Sequence, residues 1–195
     1  MSANYEQAGV LLVGHGTRSK QGRSEFFQLV RQVAGRIELP VQPGFLELAE
    51  PTIHDTVRRL AGQGVRDLIV APLLLFAAEH AKCDLPEAVR LVAGGRMRCR
   101  QAAHLGCHQK IVQLSALRFE QACQANGISR RGDSLSAVLV GRGSSHDSAT
   151  QEMFAFCRAR DECTRGIRTD CGFAAVAAPG LQDVLDRAAK LPYRQ

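Results

Sequence analysis

From Leu68 to Phe76 the chain reads Leu-Ile-Val-Ala-Pro-Leu-Leu-Leu-Phe, without one charged side chain. A strand this apolar has no face to offer water, so it needs a layer on each side, the situation of a parallel sheet flanked by helices. The neighbouring segments supply those layers. Val10–Val13 predicts a first strand, and Ser24–Arg36 predicts a helix carrying Phe26, Phe27, Val30, Val33 and Ile37 at helical spacing. Val41–Leu48 is extended; Pro51 suits the start of a helix over Thr52–Ala61, with Ile53, Val57 and Leu60 on one face. Val65–Phe76 is then the central strand, followed by a helix over Asp84–Ala93, a strand over Arg98–Ala103 and a long amphipathic helix over His108–Gln124. This strict alternation places the chain in the α/β class with a parallel sheet.

Other classes are excluded. The apolar run is bounded by Arg66, Asp67 and Glu79 and falls short of the ~18 residues of a membrane span. Residues Met1–Gly9 lack the cationic and apolar parts of a secretory signal, so a cytoplasmic protein with no membrane partner is expected. The net charge of +6 favours acidic ligands, but the basic residues are scattered and the chain has no Trp and two Tyr, too little aromatic surface for base stacking. No nucleic-acid partner is expected. The seven cysteines form no Cys-x-x-Cys pair, which argues against a zinc ribbon or iron–sulfur centre.

The polar stretch Asn126–Ser134 reads as a linker between a unit over 1–128 and a second over 129–195. The second repeats the first. Val140-Gly141-Arg142-Gly143-Ser144 aligns with Val13-Gly14-His15-Gly16-Thr17 at a spacing of 127, and Phe173, Pro179, Asp183 and Arg187 align with Phe45, Pro51, Asp55 and Arg59 at 128. The counterpart of the Leu68–Phe76 strand would begin near residue 196, so the duplicated βα unit is incomplete in its second copy. Either the chain belongs to a longer protein, or a partner covers the open half-sheet, a homodimer being one such arrangement.

Ligands of open parallel sheets collect beyond the carboxyl ends of the strands. There the chain places His15, then Glu47 and Glu50, then Glu79 and His80, then His104 and His108. His54, within a helix, and His146 lack this convergence and read as structural. Gly14-His15-Gly16 lacks the later glycine of a dinucleotide fingerprint and no P-loop occurs, so no nucleotide cofactor is expected. Imidazole with carboxylate suits a borderline divalent metal such as Co²⁺, Fe²⁺, Ni²⁺ or Zn²⁺, and imidazole also takes up protons near neutral pH.

Three motifs carry a resemblance: Val13-Gly14-His15-Gly16-Thr17-Arg18, Phe45-Leu46-Glu47-Leu48-Ala49-Glu50-Pro51-Thr52-Ile53, and Pro72-Leu73-Leu74-Leu75-Phe76-Ala77-Ala78-Glu79-His80. With His104-Leu105-Gly106-Cys107-His108 and the second glycine loop, they resemble the class II tetrapyrrole chelatases, nearest the sirohydrochlorin cobaltochelatases and ferrochelatases. The resemblance implies a chelatase-like fold and ATP-independent insertion of Co²⁺ or Fe²⁺, as substrate metal, into the anionic tetrapyrrole sirohydrochlorin, a lyase reaction on the way to cobalamin or siroheme. It assigns metal binding and proton acceptance to His15 and His80, with assistance from Glu79, Glu47 or Glu50. Arg142 replaces the histidine in the second loop; with Ser144 it either pairs with substrate carboxylates or is a solvated loop charge. A non-catalytic metal or tetrapyrrole carrier is the alternative. A histidine phosphatase is disfavoured, since Gly14 stands where that chemistry needs arginine.

Overall fold

The computed structural model describes residues 7–76, 85–95, 97–128, 135–145, 147–164 and 167–190. Two compact units divide between Leu105 and Gly106. Among the described residues no helix is long and apolar enough to cross a membrane.

The first unit runs β1 (Ala8–Gly14), α1 (Lys20–Ala34), β2 (Val41–Phe45), α2 (Ile53–Gly62), β3 (Asp67–Pro72), α3 (Leu85–Ala93) and β4 (Arg98–Gln101). Its sheet has the order β2-β1-β3-β4 with every pairing parallel. All seven residues of β1 are buried. Alternation along β1 sends Val10 and Leu12 to one face, against Phe26 and Val30 of α1, and Leu11 and Val13 to the other, against Ile53, Val57, Leu60, Leu85 and Val89 of α2 and α3. The apolar run expected as a strand over 65–76 is ladder only over Asp67–Pro72; the Leu73 N–H, donating to the Val13 carbonyl at 2.7 Å, makes the last rung of its pairing with β1. β3 is interior but alternates buried with half-buried residues, so β1 rather than β3 is the fully covered strand. Helix α1 starts four residues before the expected Ser24, because the Ser19 side chain accepts from the Gly22 N–H and caps it there. β4 is the exposed edge, two residues shorter than expected.

The second unit contains α4 (Gln109–Ala125), β5 (Ser136–Gly141), α5 (Asp147–Cys163), β6 (Arg168–Phe173) and α6 (Leu181–Ala189). Helix α4, expected at the end of a first unit running to residue 128, packs with α5 instead, its Phe119 ring lying 4.7 Å from the buried Arg160 guanidinium. Part of the expected linker, 129–134, is outside the described residues.

The duplication is visible in the backbone. β5 pairs with β6 in parallel with Gly141 opposite Phe173, as Gly14 stands opposite Phe45. Phe45 donates to the Pro51 carbonyl at 2.9 Å and Phe173 to the Pro179 carbonyl at 3.0 Å. Gly44 and Gly172 both lie against the first residue of the following helix, Ile53 and Leu181. Only two strands are described here, and burial reports the difference: Val13 and Val57 are 0% exposed, whereas their counterparts Val140 and Leu185 are 54% and 43% exposed.

Candidate functional site

The loop after β1 is built on glycine. A β-carbon on Gly14 would stand 2.8 Å from the Phe26 ring, and one on Gly16, at φ +105°, would overlap the Glu47 carbonyl oxygen. Without those β-carbons the loops after β1 and β2 lie backbone to backbone. Leu46 donates to the Gly14 carbonyl at 3.0 Å and Glu47 to the His15 carbonyl at 3.1 Å. The side chains are thereby set side by side, His15 Nδ1 3.5 Å from Glu47 Oε1, each a little over half exposed.

Beside this pair is a cleft of about 240 Å³ lined by His15, Glu47, Thr52, His54 and Ala88 above the apolar Phe45, Leu46 and Ile53. Thr52 sets the entrance of α2: its hydroxyl accepts from the Asp55 N–H at 3.1 Å and donates to the Asp55 carboxylate at 2.6 Å, which holds that carboxyl below its ordinary value. His54 follows in the first turn, its Nε2 3.3 Å from Arg58 Nη2 and its Nδ1 3.7 Å from Asp55 Oδ1.

A neutral imidazole and a carboxylate at this separation offer one nitrogen and one oxygen donor to a divalent metal while leaving positions open for exchange, and the ring can also take a proton from a ligand. Among the described residues no group of three or more His, Cys, Asp or Glu is arranged to hold a metal.

The expected residues fall as follows. His15 and Glu47 come together; Glu50 is exposed and does not line the cleft. Glu79, His80 and His146 lie outside the described residues. His108, expected among the strand-end ligands, caps α4 instead, its Nδ1 accepting from the Lys110 N–H at 3.3 Å. His104 is half-buried. His54, read as structural, lines the cleft; the signal for it was Pro51-Thr52, which puts position 54 in the first turn beyond a strand end.

In the second unit the same frame carries other side chains. Gly143, at φ +93°, packs its α-carbon against the Ala175 carbonyl. Ala174 and Ala175 donate to the carbonyls of Gly141 and Arg142 at 2.8 and 2.9 Å. Arg142 is exposed in the place of His15, Ala175 stands in the place of Glu47, and Ser144 follows half-buried.

The sequence profile of the CbiX family matches residues 9–122 and 136–195. A sirohydrochlorin ferrochelatase of Priestia megaterium is 28% identical over 189 residues, covering 95% of this chain and 69% of the relative. A sirohydrochlorin cobaltochelatase of Sulfurisphaera tokodaii is 30% identical over 118 residues, covering 60% of this chain and 96% of the relative. Among solved structures, SirB from Bacillus subtilis with Fe³⁺ superposes with a TM-score of 0.80 at 27% identity, over 93% of this chain and 71% of that one. A profile match that takes in both glycine loops, on a backbone shared with SirB, places this chain in the CbiX family of class II tetrapyrrole chelatases.

Proposed function

We propose that the chain inserts a divalent metal ion into sirohydrochlorin without ATP, with Co²⁺ the first candidate and Fe²⁺ the second. The observation that carries the reading is the His15–Glu47 pair, fixed at a parallel strand end over a cleft by backbone bonds that do not depend on the side chains. Relatives that are sirohydrochlorin ferrochelatases and cobaltochelatases support the substrate.

In this reaction two pyrrole N–H protons leave as the metal enters, so a base beside the metal lowers the barrier. His15 holds the incoming ion on its free ring nitrogen and, once the ion has passed to the pyrrole nitrogens, that nitrogen takes one of the two protons while the other falls to the second imidazole. Glu47 orients the ring and offsets the ion's charge. His80, aided by Glu79, supplies the second imidazole of the pair implied by the family resemblance. Glu50 is a weaker candidate for substrate contact, being exposed away from the cleft. Arg142 suits substrate carboxylates, since a guanidinium binds them in a fork, and Ser144 adds a hydroxyl.

The test is metal insertion followed by absorbance, with Co²⁺ and Fe²⁺ in competition and no nucleotide present. His15→Ala and His80→Ala should each slow insertion by roughly 10²–10⁴-fold, the usual contribution of a positioned base. Near-normal rates in both variants would overturn the assignment, and saturable binding of the tetrapyrrole with no product would make the protein a carrier.

A further inference from the structure

His54 borders the same cleft as His15, and the two imidazoles are set up alike. Each turns Nδ1 towards a carboxylate, His15 to Glu47 Oε1 at 3.5 Å and His54 to Asp55 Oδ1 at 3.7 Å, and each is a little over half exposed. A carboxylate beside one ring nitrogen fixes the tautomer and leaves the other nitrogen its lone pair, the arrangement that metal-ligating histidines use. For His54 the tautomer follows from its neighbours. Arg58 Nη2 lies 3.3 Å from His54 Nε2, and a guanidinium can only donate, so Nε2 accepts and the ring proton sits on Nδ1 beside Asp55. Asp55 stays an anion, its carboxyl held below the ordinary value by the Thr52 hydroxyl first and by His54 as well.

The second unit shows that this helix turn has no structural need of an imidazole. Helix α6 follows β6 as α2 follows β2, and 128 residues on Gln182 and Asp186 stand in the places of His54 and Arg58. The Gln182 amide donates to the Asp186 carboxylate at 2.8 Å, so the contact one turn along the helix is made by other side chains. Asp183 keeps the place of Asp55 in the first turn. The imidazole is therefore missing from the unit that also lacks counterparts of His15 and Glu47. Around His54 the anions Asp55 and Glu47 suit a cation, and Arg58, an exposed side chain held by one long bond, can swing out and uncover Nε2. Resting on the function proposed above, we infer that His54 is a further metal-binding residue of the cleft: its Nε2 takes up the hydrated divalent ion first, displacing Arg58 and one water, and passes the ion to His15 by ligand exchange.

The binding test uses Co²⁺ alone as the probe and the full chain carrying His15→Ala and His80→Ala, so that an ion on either of those rings cannot be the source of the signal. Paramagnetic Co²⁺ should broaden the His54 ring signals in NMR spectra. The kinetic test uses His54→Gln, whose amide oxygen can still accept from Arg58 but whose imidazole is gone. At wild-type Tm, KM for Co²⁺ should rise by about tenfold, with kcat within about twofold and the Kd for metal-free sirohydrochlorin unchanged. Arg58→Ala, which uncovers Nε2, should lower KM for Co²⁺ by about threefold, a change that a merely structural His54 would not produce. His54 ring signals untouched by Co²⁺, or a His54→Gln protein with the wild-type KM for Co²⁺, would overturn this inference and leave the proposed function standing. A wild type that binds Co²⁺ at His54 and inserts none into sirohydrochlorin would overturn the proposed function while the ion site stands.

Discussion

Arg142 occupies in the second unit the place His15 holds in the first: each carbonyl accepts the N–H of the residue opposite, Glu47 at 3.1 Å for His15 and Ala175 at 2.9 Å for Arg142. The frame is kept and the chemistry is exchanged. A pair able to bind a cation and accept a proton has become a lone cation beside an alanine, so the duplication has left one candidate metal site and one candidate anion contact.

That frame depends on its glycines. In Gly16→Ala the new β-carbon meets the Glu47 carbonyl, a backbone atom that cannot swing aside, at a φ of +105°. The loss should be about 2–4 kcal/mol, left-handed strain plus the displaced loop, read as a lower denaturant midpoint. Because the loops part, His15 leaves Glu47 and metal insertion should fall with stability. Gly143→Ala meets the Ala175 carbonyl in the same way and should cost a similar amount. A Gly16→Ala protein of wild-type stability would show that the loops are not held by this contact.

Arg142→Ala separates the two roles of the repeat. If the guanidinium meets substrate carboxylates, KM for the tetrapyrrole should rise about fivefold to tenfold at low ionic strength, the difference shrinking in salt, as a partly exposed charge-assisted contact would. Cobalt bound per chain, measured by equilibrium dialysis, should not change. An unaltered KM at low salt would leave Arg142 a solvated loop charge.

The buried half of α5 makes a different prediction. Arg160 is 1% exposed; its Nη1 donates to the Thr169 hydroxyl at 2.6 Å, its guanidinium lies over Phe119, and its Nε has no partner among the described residues. Burial pushes its pKa below the ordinary arginine value. The Asp161 carboxylate and the Phe119 ring favour the charge and the Thr169 hydroxyl accepts a hydrogen bond from it, so Thr169→Val should cost about 1–3 kcal/mol, while Arg160→Met, of similar length and without charge, should be neutral or stabilising by about 1–2 kcal/mol. Chemical denaturation of the two variants decides it; a strongly destabilised Arg160→Met would mean the cation itself is required.

Residues differ in how far their positions could be read from the chain. His15 was legible because an apolar strand ending in Gly-His-Gly leaves the imidazole at a strand's carboxyl end whatever surrounds it. Its meeting with Glu47 was not, since that approach depends on a positive φ at Gly16, a property of the folded loop. The end of β3 was hidden inside a uniformly apolar run, where nothing marks the residue that leaves the ladder. Which unit claims α4 was illegible too: amphipathic spacing shows that a helix has a core face but not which core it meets. Arg160 sits in a helical pattern where a charge normally marks the solvent face, so its burial could come only from packing.

The thiols in the second unit's core give the clearest pH dependence. Cys157 is buried against Cys171, and burial is the largest of the effects that push its pKa up to about 12 from an ordinary 9.0. The folded protein therefore keeps this proton where the unfolded chain has released it. Below pH 9 both states hold the proton and the contribution is fully present; as pH rises from 9 towards 12 the unfolded state binds fewer protons, and stability falls. At ~1.4 kcal/mol per pH unit the loss across the whole window is on the order of 4 kcal/mol, with Cys171, also raised by burial, acting in the same direction. Denaturant midpoints at pH 8 and pH 10.5 should differ in the wild type, and Cys157→Ala should show a shallower decline between them. Labelling with a thiol reagent at pH 8 should reach the exposed Cys99, Cys107 and Cys163 well before Cys157. An equal alkaline decline in Cys157→Ala and the wild type would place the responsible proton elsewhere.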